Sequence, residues 1–474
     1  MSDHARRSPS PTQFGFPAVS RRQLLLGASA ASVLAACGSS AKSGSGASTS
    51  VAAKAASSAA APATTAAAAS SSSAAATTAA AAAAVGSVTF GSNYSDDKPK
   101  AAIQAMMDGF KGAKVSINTV DHNKYQENIT TYLQQPDDVV SWFAGYRMRF
   151  FAAKGLVGDV SDVWSKLDGF SDAFKTASTG DDGKQYFVPL YYYPWAIHYR
   201  KSLFTEKGYK VPTTWADFMA LADKMKTDGI TPLVAANDGK WPQMGMFDQL
   251  NMRTNGYKFH VDLMAGKEKW TDDRVMNVFK TWEKLIPLQQ TGANGRTWQQ
   301  GADALGKKET GMYLLGTFVT SNFDPKKDPA AQAIIDDIDF FNFPEIDAKI
   351  GADAVEAPID GFMMASKPKN AAAAKALLSY IGTAAAEQAY LKVDPSSVAA
   401  NGKADTGGYT VLQKKSADFV GKAKSIAQFM DRDTNPEFAS NVMGPAIASF
   451  LDNPSTIGDT LKSVEEKKGA IFTS

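Results

Sequence analysis

The sequence predicts a two-lobed α/β protein, and three observations carry that prediction. Strand-like and helix-like runs alternate from residue 87 onward, the pattern of βαβ units built around parallel sheets. About 390 residues follow that point, more than one hydrophobic core ordinarily serves, so two compact cores are expected. The chain is 44% hydrophobic and 21% charged, the balance of a globular domain.

Two segments of different character come first. Arg21 and Arg22 precede an apolar run from Leu24 to Ala36, shorter than the roughly 20 residues a spanning helix needs. Positive charge, a short apolar stretch and then small residues is the layout of a bacterial export signal. Ser20-Arg21-Arg22-Gln23-Leu24-Leu25 resembles the twin-arginine address, and Leu34-Ala35-Ala36-Cys37 resembles the lipobox at which lipoproteins are cleaved and lipid-modified. Residues 1–36 therefore read as a removable signal peptide and Cys37 as the lipid anchor on the extracytoplasmic face of a bacterial membrane. Residues 37–86 are almost entirely Ala, Ser, Thr and Gly, too poor in bulky apolar side chains to offset the entropy of ordering. They read as a disordered tether, which as a flexible coil of about 50 residues would reach roughly 40 Å.

The folded region opens with a β-rich run, Gly86 to Gly91, ending in the turn-prone Ser92-Asn93-Tyr94. Ile103 to Phe110 reads as a helix, Lys114 to Val120 as a strand, Tyr125 to Leu133 as a helix and Asp138 to Trp142 as a buried strand. Thr214 and Asp217 have the spacing of a capping box, and Phe218, Leu221, Ala222 and Met225 then fall on one face, which predicts a helix from about Trp215 to Lys226. Ala371 to Leu391 reads as one long helix. No repeat has the period of a solenoid or propeller.

Composition also excludes function classes. The net charge of +2 includes the basic leader and gives no footprint for nucleic acid. A lone cysteine allows neither an intramolecular disulfide nor a cysteine metal site, and His4, His122, His198 and His260 lack ligand spacing. No G-x-S-x-G elbow, H-E-x-x-H or phosphate-cradling glycine loop is present, so the sequence gives no positive sign of an enzyme and implies no cofactor.

Six segments in order resemble the extracellular solute-binding proteins of ABC importers, in the branch that includes maltose-binding protein. They are Pro136 to Trp142 with Ala153 to Leu156, Asp182 to Leu190, His198 to Phe204, Pro212 to Trp215, Gly301 to Gly316, and Asp360 to Lys367. The resemblance implies a two-lobe periplasmic-binding-protein type II fold with a hinge and an interlobe ligand cleft. It further implies a carbohydrate of one to a few units, captured by cleft closure and passed to membrane permease subunits by a monomer that performs no catalysis. It places the first crossing near Tyr193-Pro194-Trp195. It assigns 87–195 and 301–345 to lobe 1, and 196–300 and 358–474 to lobe 2.

A sugar presents apolar C–H faces and hydroxyl edges, so its site needs flat rings beside side chains that donate or accept several hydrogen bonds. Trp142 ends a buried strand, where such sheets place ligand contacts; a core tryptophan is the alternative. Tyr146 and Arg147 follow at the expected cleft rim, with a surface ion pair the alternative for Arg147. Period-two alternation sends Tyr191, Tyr193 and Trp195 to one face, with Trp195 placed in the cleft or packed under the hinge. Trp241 lies in the loop-like Gly239-Lys240-Trp241-Pro242. Phe318 stands where the resemblance implies a stacking tryptophan, and its smaller ring argues against long oligosaccharides. Asn93 and Asp360 are polar candidates, joined by His122 and Asp431, with a structural ion-pair cluster the favoured alternative for Asp431-Arg432-Asp433.

Three rival readings stand beside this one. A glycosidase would need two carboxylates about 5 to 10 Å apart across the scissile bond. The phenols of Tyr191 to Tyr193 could hold ferric ion in the same fold class. A lipoprotein of this fold could also hold cell-wall polymer or a partner protein.

Overall fold

A computed structural model of the protein describes residues 86–472. The expectations for the signal peptide 1–36, for Cys37 and for the tether up to residue 85 fall outside the described residues.

The chain begins in a sheet whose strand β1 (Ser87–Ser92) pairs in parallel with both β2 (Lys114–Thr119) and β3 (Val139–Phe143). The helix Asp97–Asp108 makes the first crossover and buries Ala102, Ile103, Met106 and Met107 on one face. After β4 (Val157–Gly158) and β5 (Val188–Tyr192) the chain passes through Tyr193 and Pro194 into β6 (Trp195–Arg200). A second sheet then forms in the order β7 (Thr231–Leu233), β8 (Thr310–Gly316), β6, β9 (Ile338–Phe341).

The return path differs from the expectation. β10 (Ala354–Glu356) leads into β11 (Ile359–Ala365), which inserts between β5 and β3 antiparallel to both, and β12 (Val398–Ala399) extends the same first sheet. β13 (Ser425–Ala427) pairs with β10, and the chain re-enters the second lobe, where Ile457–Phe472 packs on Asp273–Glu283. The assignment of 301–345 to lobe 1 is therefore corrected, since β8 and β9 flank β6 in the second sheet. Likewise β11 and β12 belong to the first sheet, so the assignment of the whole of 358–474 to lobe 2 is corrected. The physical reason is that β8 and β11 are buried at all seven positions. Strands buried on both faces announce that they are central, not which sheet they are central to.

The predicted helix near Trp215 spans Trp215–Thr227, with Thr214 Oγ1 accepting the Asp217 N–H at 3.2 Å and Phe218, Leu221, Ala222 and Met225 buried. Two expected helices are interrupted. Tyr125 to Leu133 divides at Asn128 into His122–Glu127 and Ile129–Tyr132. Ala371 to Leu391 divides at Gly382 and Thr383, where the Thr383 side chain caps a new helix by accepting the Ala386 N–H.

Candidate ligand-binding cleft

Strand ends and crossing segments converge between the two sheets on a cavity of about 310 Å³. Phe318 is the centre of its aromatic wall. Its ring centroid lies 5.2 to 6.1 Å from those of Tyr193, Trp195, Trp241 and Trp298. Trp195 also packs on Phe429 at 4.6 Å. These edge-on and tilted contacts fix the rings against one another, so the wall is preformed.

Charged side chains line the cavity beside these rings. Arg147 Nη1 donates to Asp431 Oδ2 at 3.2 Å, Arg432 Nη1 to Asp360 Oδ1 at 2.7 Å and Arg432 Nη2 to the Tyr193 hydroxyl at 3.0 Å. The Arg432 guanidinium lies 3.9 Å from the Phe143 ring centroid. Burial pulls this guanidinium down, but Asp360, Tyr193 and Asp431 around it outweigh that and keep it firmly charged. Burial lifts the Asp360 carboxyl, against the pull of Arg432. A bulge between Asp360 and Gly361 sets the direction of this carboxylate. Gly361 is required there because a Cβ would come within 2.2 Å of the Val188 carbonyl.

Of the residues picked from sequence, Asn93, His122, Trp195, Trp241, Phe318, Asp360 and Asp431 line the cavity. Asn93 is fixed by Ser141, whose hydroxyl donates to its Oδ1 at 2.8 Å. His122 is held between Asn93 at 3.3 Å and Gln126 at 2.7 Å. Burial, with Arg432 nearby, pushes His122 down to about 4, so it is a neutral imidazole at physiological pH. An NMR titration of its ring is expected to show no protonation midpoint above pH 5; a midpoint near 6.5 would contradict the enclosure described here.

Trp142, Tyr146 and Arg147 do not line the cavity. Trp142 is 1% exposed and packs beneath the cleft between Tyr125 and Phe151. Strand alternation gives the cavity to its neighbour Phe143 instead. Arg147 is neither a rim donor nor a surface ion pair: it is buried, its guanidinium 4.5 Å from the Trp142 ring centroid, and it reaches the cavity through two lining residues, Asp431 at 3.2 Å and Gln126, whose Oε1 accepts from Nη1 at 2.8 Å. Tyr146 sits half-buried on the first turn of Tyr146–Ala153, outside the lining.

Sequence reasoning picked Asp431 but not Arg432 as a ligand candidate, with an ion-pair cluster the alternative for the segment; Arg432 is both an ion-pair partner and part of the lining. Its partners are 72 and 239 residues away in sequence, so no local spacing signals them. Of Tyr191 to Tyr193, weighed as ferric ligands, Tyr191 and Tyr193 line the cavity and Tyr192 does not, and Arg432 Nη2 donates to the Tyr193 oxygen.

The lobes meet across the cavity. Trp241 Nε1 donates to Asn123 Oδ1 at 3.2 Å, Gln299 Nε2 to Asp96 Oδ1 at 3.1 Å and Ser321 Oγ to Asp394 Oδ1 at 2.7 Å. Each bond joins a residue of one lobe to one of the other, which is the geometry of a closed cleft.

Residues 94–388 match the family model of the bacterial extracellular solute-binding protein. The chain belongs to that family. Its fold superposes on the bacterial solute receptor AcbH, described with an exclusive preference for β-D-galactopyranose, with a TM-score of 0.78, 48% identity and coverage of 82% of this chain and 99% of the receptor. A probable sugar-binding periplasmic protein of Mesorhizobium japonicum is 25% identical over 69% of this chain and 80% of its own. An uncharacterised ABC transporter extracellular-binding protein of Pyrococcus horikoshii is 31% identical over 157 residues, and the match spans 31% of this chain and 37% of that relative. Among the described residues, no helix of this family member is long and apolar enough to cross a membrane.

The seat of Trp195 gives a specific expectation. Gly245 lies against this indole so closely that a Cβ would stand 2.2 Å from Trp195 Nε1. Gly245→Ala is expected to push the ring into the cavity and weaken ligand binding while costing the fold about 1 to 3 kcal/mol, read by calorimetry and thermal unfolding in parallel.

Proposed function

We propose that this protein captures a single hexopyranose, with galactopyranose the first candidate, by closing its two lobes around it, and delivers the sugar to an ABC importer. The observation that carries this reading is a cavity of about 310 Å³ lined by aromatic rings and by Arg432, Asp360, Asp431 and Asn93. That pairing suits a ring with apolar faces and hydroxyl edges. The volume is at the low end of ligand pockets, roughly 300 to 1,000 Å³, which favours one sugar unit. The 48% identity to a galactopyranose receptor supports the same sugar class. In this reading the protein is a monomer that only binds. It is tethered on the extracytoplasmic face through a lipidated Cys37, with residues 1–36 removed, and catalysis belongs to the importer's ATPase.

A thermal-shift screen over hexoses, pentoses, disaccharides and trisaccharides tests this. A ligand at 100 times its dissociation constant stabilises by about 2.7 kcal/mol, so a true ligand is expected to stand clear of the panel. No shift with any monosaccharide would overturn the reading. Turnover of an oligosaccharide by the isolated protein would overturn the purely binding role.

A further inference from the structure

The helix Met244–Asn255 carries polar side chains into the hinge: Asp248, Gln249, Asn251 and Arg253 are each at most 1% exposed. Every crossing between the lobes ends on one of them. Gln249 Nε2 reaches the Trp195 carbonyl at 3.4 Å and Glu356 Oε2 at 3.1 Å. Arg253 donates to the carbonyls of Phe343 and Ala354 at 3.0 and 2.8 Å. Asp248 Oδ2 accepts the backbone N–H of Met430 at 2.6 Å, and Met430 directly precedes Asp431 and Arg432.

Each of the two acids leaves an oxygen over. Asp248 Oδ1 and Glu356 Oε1 are buried without a donor among the described residues, and the two side chains lie within hydrogen-bond reach of each other. Two buried carboxyl groups within reach of each other, each with an unpartnered oxygen, are reconciled by one proton. No neighbouring charge substitutes for it. Asp431 and Asp433 on the facing turn repel a second negative charge, and Arg432 beside them is committed to Asp360. His260 Nε2 is 3.9 Å from Asp248 Oδ1, but burial pushes this imidazole down to about 3, so it is neutral. Arg253 is spent on the two carbonyls and on Asn342, and its other acidic neighbour is Asp353. Burial raises both Asp248 and Glu356, and each raises the other through their shared contact.

We propose that Asp248 and Glu356 share a single proton and that this acid–carboxylate pair is the positioning element of the cleft, holding the Met430 backbone and, through Gln249, the Trp195 carbonyl so that Asp431, Arg432 and Trp195 face the ligand. The pair makes the hinge proton-linked: protonation is favoured in the folded state, so stability falls as pH rises from the ordinary carboxylate range toward the raised midpoint of the pair. The binding arm of the test rests on the sugar reading above; the stability arm does not.

The test compares the full chain with Asp248→Asn, Glu356→Gln and the double variant, by unfolding and by D-galactose calorimetry between pH 6 and 9.5. In Asp248→Asn the amide oxygen keeps the Met430 bond while the amide nitrogen donates to Glu356. In Glu356→Gln the oxygen keeps Gln249 and the nitrogen donates to Asp248. Each single variant is therefore expected to keep the neutral-pH stability of the parent, stay within about threefold of its affinity and lose its alkaline decline. The double variant sets two amide donors face to face and is expected to lose about tenfold or more in the folding equilibrium beyond the sum of the singles. Additive losses in the double variant, or single variants that retain the parent's alkaline decline, would overturn the proposal. If D-galactose binds none of the four proteins while the stability pattern holds, the sugar assignment fails and the shared proton stands.

Discussion

Arg432→Met is expected to lower stability by about 3 to 5 kcal/mol and to weaken sugar binding by at least about 100-fold. The side chain satisfies Asp360 at 2.7 Å and the Tyr193 hydroxyl at 3.0 Å, and faces Asp431 at 3.7 Å. Removing it leaves buried carboxylates without their cation, the most costly way to break an ion pair. Methionine fills similar volume, so the loss reads charge and hydrogen bonding rather than a cavity. Arg432→Lys is expected to recover little, because a point charge cannot serve Asp360 and Tyr193 and lie over Phe143 at once. Denaturant unfolding and calorimetry on the same samples check both effects; an affinity within threefold of the parent would remove Arg432 from the site.

Trp195→Ala is expected to cost about 3 to 5 kcal/mol of stability and more than about 1 kcal/mol of binding. This ring is 2% exposed, packs against Phe429, Trp241 and Phe318 and lines the cavity, so truncation opens a void in the hinge and removes part of the aromatic lining. The two placements suggested by the sequence, cleft or hinge packing, are thus the same placement. Trp195→Phe is expected to retain most of the stability while still weakening binding, which separates the roles. Unchanged affinity in Trp195→Phe and Trp195→Ala alike would show that the ring serves packing only.

What was legible in the sequence was local or periodic. The cap at Thr214 and the apolar face behind it fixed a helix. Trp142 was misplaced by one residue for a geometric reason: successive strand side chains point to opposite faces, and the cavity took Phe143. The lobe assignment failed at β8 and β11, because burial on both faces of a strand carries no information about its partners. Arg432 and the Asp248–Glu356 pair were illegible because they depend on contacts between segments that meet only at the hinge.

Whether the cleft holds one sugar unit among its aromatic and charged side chains is read by calorimetric titration of the purified chain with D-galactose, with a trisaccharide as comparison. One-to-one binding of the monosaccharide near micromolar, about −8 kcal/mol, is expected, with at least about 100-fold weaker binding of the trisaccharide. Tight trisaccharide binding, or no heat with any monosaccharide, would contradict this expectation.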